Sequence, residues 1–272
     1  MEIRVLQLIE GAKRAEGLTV IIDVFRAFTT ACYVFNNGVK KIIPVGRLDT
    51  AHSLKEKDNK LILMGERSGK TVSGFDYGNS PALIKDVDFT GKDVVHTTSA
   101  GTQGIVNAEN ASEIITGSFV NASTVAKYIL QKKPSRVTLV CMGNAGVEAA
   151  DEDILCALYI KYLIINQSSD NAFNKEDIDL LKGLIKGQEV SSVLQEKLLK
   201  PLIEGDVLSV LKKDVIGEIL RQGSGERFFN PANQSWSPAD DFYMCLQFNI
   251  FDFVLRVEDY TDGLVYLDKV KL

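Results

Sequence analysis

Six segments of the chain each leave a run read as a buried strand and pass at once into residues suited to a phosphate group or a metal ion. They are Asp23-Val24-Phe25-Arg26-Ala27-Phe28-Thr29-Thr30, Gly65-Glu66-Arg67-Ser68-Gly69-Lys70 and Gly74-Phe75-Asp76-Tyr77-Gly78-Asn79-Ser80-Pro81. Thr97-Thr98-Ser99-Ala100-Gly101-Thr102, Gly143-Asn144-Ala145-Gly146 and Asp151-Glu152-Asp153 follow. Open α/β sheets bind ligands outside the carboxyl ends of their strands. Polar loops at so many strand ends therefore predict one composite site for a small, strongly anionic molecule.

The residue types narrow the chemistry. A carboxylate at Asp23 suits a hard cation such as Mg²⁺, which takes oxygen ligands and keeps waters. Arg26 carries a planar donor fork that matches phosphate or sulfonate oxygens, and a helix N-terminus behind it adds backbone N–H groups. The alternative is an N-capping Asp beside an Arg held in a structural ion pair. Thr97 to Thr102 offers hydroxyls, amides and a glycine to one tetrahedral anion. No Lys-Ser/Thr pair follows that glycine, so the segment does not match a Walker loop and nucleotide binding is not implied. Asp151-Glu152-Asp153 favours a helix start through the helix dipole. If those acids meet Asp23 in one place, they repel unless a cation sits among them. Arg67 and Lys70 could neutralise a second anionic group, and His96 beside the Thr cluster is a candidate acid or base or a packing residue.

These loops need elements to position them. Thr19 to Asp23, Lys41 to Val45, Lys60 to Met64, Asp93 to Thr97, Glu113 to Thr116 and Arg136 to Cys141 read as short buried strands. Helices are expected over Ala27 to Asn37, Leu48 to Lys57, Thr102 to Glu109, from a cap at Asn121 or Ser123 to Lys132, and from Asp151 onward. This alternation predicts an α/β fold: two α/β lobes with mainly parallel sheets flanked by helices, and the site at the lobe interface. The split is placed loosely near residue 120, giving lobes over 1–120 and 121–272. Gly65 to Pro81 reads as a long binding loop, too polar for a strand. Beyond Asn166, helices are expected over Lys175 to Lys186, Val190 to Leu199 and Val207 to Leu220. Strands are expected over Phe242 to Phe248, Phe251 to Val257 and Leu264 to Leu267.

Composition removes several classes. The chain has 272 residues, 45% hydrophobic and 25% charged, with a formal net charge of -5. That balance, without a Lys/Arg block, argues against a nucleic-acid partner, and no apolar run reaches the roughly 20 residues a bilayer span requires. The four cysteines are widely spaced among apolar neighbours and read as buried free thiols in a cytoplasmic protein. Two histidines make a His-rich zinc site a poor fit.

In the order and wording of Asp23 to Thr30, Gly65-Glu66-Arg67, Gly74 to Pro81, Thr97 to Thr102 and Glu152-Asp153 with Cys156-Ala157, the chain resembles the 2-phosphosulfolactate phosphatase family. The resemblance implies a Mg²⁺-dependent phosphatase converting 2-phospho-3-sulfolactate to 3-sulfolactate and phosphate, in a family that serves coenzyme M synthesis. On this reading Asp23, Glu152 and Asp153 hold Mg²⁺, and Arg26 with Thr97, Thr98, Ser99, Gly101 and Thr102 cradles the phosphoryl group. Glu66 or an Asp orients water, and Arg67, Asn79 and Ser80 recognise the carboxylate or sulfonate end. Direct water attack and an aspartyl phosphoenzyme both remain open, as does a homodimer. A phosphoryl or sulfo transferase and a non-catalytic anion-binding protein are the competing readings.

Overall fold

A computed structural model of the protein describes residues 1–166, 178–180, 182, 207–259 and 261–272. Its strands are β1 (Glu2–Gln7), β2 (Gly17–Ile22), β3 (Lys41–Pro44), β4 (Ile62–Arg67), β5 (Lys70–Thr71), β6 (Asp93–Thr97), β7 (Ala111–Gly117), β8 (Arg136–Cys141), β9 (Phe253–Asp259) and β10 (Val265–Lys271). The interleaved helices are α1 (Leu8–Lys13), α2 (Ala27–Asn36), α3 (Leu48–Lys57), α4 (Pro81–Ile84), α5 (Gly101–Asn107), α6 (Ala122–Lys132) and α7 (Asp151–Ile165).

All ten strands join one mixed sheet in the order β1-β8-β2-β7-β9-β10-β3-β6-β4-β5, so the chain is of the α/β class. β1, β8, β2 and β7 form a parallel block, and β3, β6 and β4 form a second. The hairpin β9–β10 joins them, with every one of its pairings antiparallel. The blocks consequently run in opposite directions.

Side-chain alternation along the strands explains why helices cover both faces. Leu18, Val20 and Ile22 of β2 pack with Val125, Ile129, Leu155 and Leu158 of α6 and α7. Ile21, between them, joins a second cluster with Phe28, Phe35 and Ile105. That second cluster also takes in Ile42, Met64 and Val94 of the other block. Twist of about 20–25° per strand step accumulates across such a sheet, and the shared cluster around α2 brings polar loops of both blocks to one place. Fully burying each large side chain contributes about 1.5–3 kcal/mol. α7 is buried on nearly all sides, as its continuous apolar sequence requires. The four cysteines are free and buried.

The expected strands and helices before residue 166 occur with small shifts at their ends. Three readings are corrected. The excursion after Met64 is not all loop: β4 continues through Arg67 and pairs with Lys70–Thr71 across Ser68-Gly69. Both turn residues have positive φ, 52° and 79°, the geometry that two-residue hairpins favour. Polarity concealed the strand because Glu66 and Arg67 are satisfied by the Gly69 turn, Ser99, Thr97 and Gly46 rather than by solvent. Phe242 to Phe248 is not a strand, since Ala239–Cys245 is a helix preceded by Pro238 with Asp240 and Asp241 in its first turn. Those are helix-start signals, and they outweigh the aromatic content. The helix expected from Val207 to Leu220 is two helices, Val207–Val210 and Lys213–Gln222. The one expected from Lys175 to Lys186 is described only at 178–180 and 182, which are helical, and Val190 to Leu199 lies outside the described residues. No helix among the described residues is long and apolar enough to cross a membrane.

Candidate active site

The carboxyl ends of β2, β4, β6 and β8 open onto one cleft of about 850 Å³, whose far wall is built from residues 222–237. Asp23 leaves β2 and turns back, its Oδ1 accepting from Ala27 N at 3.0 Å. Asp153 fixes this strand end to the neighbouring one: Oδ1 accepts from Val24 N and Oδ2 from Gly143 N, each at 2.8 Å. Starting α7 with three acids suits the helix dipole, and here it also joins β2 and β8. Glu66 clamps the other block. Its Oε1 accepts from Ser99 N and its Oε2 from Gly69 N, both at 2.7 Å, with Ser99 Oγ donating to Oε2 at 3.3 Å.

Gly101 shows how closely these parts approach. A Cβ added there would lie 2.8 Å from both Ala27 Cβ and Asp23 Oδ2. Only a residue without a side chain lets α5 begin against Asp23.

Electrostatics single out Asp23. It is 6% exposed, and burial, with the charges of Glu66 and Glu152 beside it, pushes its carboxyl up to about 7 against amide hydrogen bonds from Ala27 and Gly101. Asp153 is raised well above the usual carboxylate range, first by burial and then by Asp23 and Glu152. Glu152 is 4% exposed and its Oε2 is buried without a hydrogen-bond partner. Buried polar atoms are ordinarily paired. A buried carboxylate oxygen without a partner, close enough to Asp23 and Asp153 to raise both, is of the kind a cation satisfies. Among the described residues no group of three or more His, Cys, Asp and Glu is arranged to hold a metal. A cation here would therefore have at most Asp23 and Glu152 as protein ligands, with water or substrate oxygens needed to complete the shell, an arrangement Mg²⁺ accepts.

The cleft gathers Asp23, Arg26, Glu66, Asn79, Ser99 and Glu152. Other candidates stand behind its wall. Arg26 lines the cleft but is 4% exposed, and much of its fork is engaged. Nη1 donates to Asp241 Oδ2 and to Trp236 O, both at 2.7 Å, and Nη2 to Gly69 O at 2.8 Å. Ser80 donates to Asp241 Oδ1 at 2.7 Å and caps α4. Thr98 and Thr102 bond reciprocally, each hydroxyl accepting from the other's amide. Arg67 donates to Glu66 O, Thr97 Oγ1 and Gly46 O, away from the cleft lining. His96 Nε2 meets Asn79 Oδ1 at 3.2 Å. A carbonyl oxygen only accepts, so the ring proton sits on Nε2. Burial, with Arg67 nearby, pushes this histidine down to about 4.

Sequence reasoning missed the far wall. Asp241, fully buried, is the counter-ion of Arg26, and Arg227, Trp236 and Ser237 line the cleft. The available signal was the helix start at Pro238-Ala239-Asp240-Asp241. Nothing in its spacing pointed to a partner more than two hundred residues away.

The fold and cleft together define an α/β protein with an acid-lined pocket at its strand ends. The 2-phosphosulpholactate phosphatase family profile matches residues 4–260. The chain belongs to that family. It is 30% identical over 203 residues to a Bacillus subtilis protein named probable 2-phosphosulfolactate phosphatase, covering 75% of this chain and 85% of the relative. A Caldicellulosiruptor saccharolyticus protein of the same name is 38% identical over 159 residues, covering 57% of this chain and 65% of the relative, just under two thirds of its length. A Clostridium acetobutylicum protein, likewise so named, is 29% identical over 224 residues, covering 80% and 94%.

Proposed function

We propose that the protein hydrolyses a small anionic phosphate monoester, 2-phospho-3-sulfolactate, to 3-sulfolactate and phosphate with the help of Mg²⁺. The observation that carries the reading is the meeting of Asp23 with Glu152, one of whose buried oxygens has no partner. Family membership supports the phosphatase class.

Charge balance supports the metal. The carboxylates of Asp23, Glu66, Glu148, Asp151, Glu152 and Glu226 line the cleft against the guanidiniums of Arg26 and Arg227. An anionic ester entering that field is repelled unless a cation offsets it. Asp23 and Glu152 would hold the ion, which when bound supplies positive charge to the phosphoryl oxygens. The protein's own groups then orient the substrate. With Oδ1 of Asn79 turned to His96, its carboxamide N–H donors are left for an acceptor in the cleft. Glu66 keeps the Ser99 loop and the Gly69 turn at fixed separation. Asp153 does the same for the ends of β2 and β8.

The test is phosphate release from a panel of small phosphorylated hydroxy acids, with Mg²⁺ and with EDTA. Turnover that requires Mg²⁺ and favours 2-phospho-3-sulfolactate is expected. Turnover undiminished by EDTA refutes the metal. Phosphate appearing only on an added acceptor indicates a transferase, and ligand-induced stabilisation without any turnover indicates a binding protein.

A further inference from the structure

We propose that Arg227 is the residue that selects for a second anionic group on the substrate, a sulfonate or carboxylate carried on the same small carbon skeleton as the phosphate. The inference rests on the phosphatase reading and deepens it.

Three arginines stand near the site, and their hydrogen bonds separate them. Arg67 is turned to Thr97 and Gly46. Arg26 is fastened to Asp241, Trp236 O and Gly69 O. Arg227 lines the cleft, is exposed, and gives one Nη2 bond to Phe25 O at 2.9 Å, two residues from Asp23. An arginine offers five N–H donors in a fixed fork that matches planar or tetrahedral anions. Among the described residues Arg227 is thus the cleft cation best placed to offer a face of that fork to a ligand.

Its backbone is held firmly enough for selection. Arg227 sits in the single turn Glu226–Phe229. Asn233 Nδ2 donates to Arg227 O at 3.0 Å and Gln234 Nε2 to Phe228 O at 2.7 Å. Phe228 is fully buried, its ring 5.0 Å from Phe25 and 6.2 Å from Phe242. The Arg227 guanidinium lies 5.2 Å from the Phe228 ring centroid, a cation–π distance that limits its swing. The charge therefore stands beside the Asp23 loop, in the cleft that Ser99 and Asn79 also line. A phosphate held through a cation at Asp23 and Glu152 would leave the rest of a short molecule on the side of the Phe25 carbonyl that Arg227 binds.

The experiment compares wild type, Arg227→Gln and Arg227→Lys on four esters: 2-phospho-3-sulfolactate, 2-phospholactate, phosphoisethionate and ethyl phosphate. The quantity read is the preference, kcat/KM for each anionic ester over kcat/KM for ethyl phosphate. A charge-assisted hydrogen bond is worth a factor of about 10 to 100. Arg227→Gln is expected to reduce the preference for 2-phospho-3-sulfolactate by that factor, through KM and not kcat, with partial recovery in Arg227→Lys. Loss confined to phosphoisethionate identifies the sulfonate as the group read, and loss confined to 2-phospholactate identifies the carboxylate. Equal loss on all four esters, or a fall in kcat with KM unchanged, overturns the proposal. If wild type releases no phosphate from any ester, the phosphatase reading fails. Calorimetric binding of 3-sulfolactate to wild type and Arg227→Gln then decides the role of Arg227, and equal affinity or no binding overturns it.

Discussion

Asp241→Asn is expected to destabilise the protein by about 3–5 kcal/mol, the cost of stranding one member of a buried ion pair. Arg26 and Asp241 meet at 2.7 Å with side chains 4% and 0% exposed. The carboxylate also accepts from Ser80 Oγ at 2.7 Å and Ala82 N at 3.0 Å. An asparagine has one acceptor oxygen for these three donors and must turn an N–H₂ toward at least one of them. It also leaves the Arg26 charge buried without its counter-ion. Burial nevertheless raises the Asp241 carboxyl above the ordinary Asp range, outweighing Arg26, Ala82 and Ser80. That desolvation offsets much of what the pair contributes as a whole. Removing both charges should therefore be cheaper than removing one, so Arg26→Met/Asp241→Leu is expected to regain 1–4 kcal/mol over the single variant. Urea unfolding followed by circular dichroism measures both. At roughly 2–4 °C per kcal/mol, Asp241→Asn should melt about 6–20 °C lower. A single variant within 1 kcal/mol of wild type, or a double variant no better than the single, refutes the reasoning. The double variant, though folded, should lose at least ~10²-fold in turnover with the Arg26 donors gone from the cleft.

Gly101→Ala should cost about 1–3 kcal/mol through overpacking against Ala27 and Asp23, seen as a lower urea midpoint, and should reduce phosphate release by displacing Asp23. Asp23→Asn removes repulsion among the clustered acids, so the metal-free variant is expected to melt above wild type. Added Mg²⁺ should raise the wild-type melting temperature and leave that of the variant unchanged. His96 is held neutral in the fold, down at about 4, against an ordinary 6.5. Its contribution to stability is complete above pH 6.5 and declines by about 3 kcal/mol as pH falls to 4. His96→Gln should flatten that part of the stability profile, measured by urea unfolding between pH 4 and pH 7.

How far the sequence revealed this molecule depended on whether the signal was local. β2 and β8 were legible because short β-branched runs between polar loops have few other uses. Asp23, Glu66 and Ser99 were legible because they lie at strand ends, and Glu152 because it opens a helix behind a glycine-rich loop; the cleft gathers all four. The chemistry of Thr98 and Thr102 was read as donors to a ligand, whereas their hydroxyls close a local cap. A Thr-x-x-x-Thr spacing looks the same in either use. The partnership of Arg26 with Asp241 spans 215 positions and could not be read, because nothing local to either residue names the other. Arg227 and Trp236 were invisible for the same reason. The order of strands in the middle of the sheet was hidden too, since pairing is decided by tertiary contact.

That middle is supplied by β9 and β10, which follow every other strand in the sequence. Each block already pairs strands far apart in the sequence, β1 and β2 with β8 and β3 and β4 with β6, and the seam between the blocks closes only when this final hairpin slots in. Until then β7 and β3 present raw borders, a template for wrong pairing with another chain. Long-range closure of this kind slows folding. Anyone trimming the C-terminal twenty residues to obtain a smaller enzyme would be removing the keystone rather than a tail.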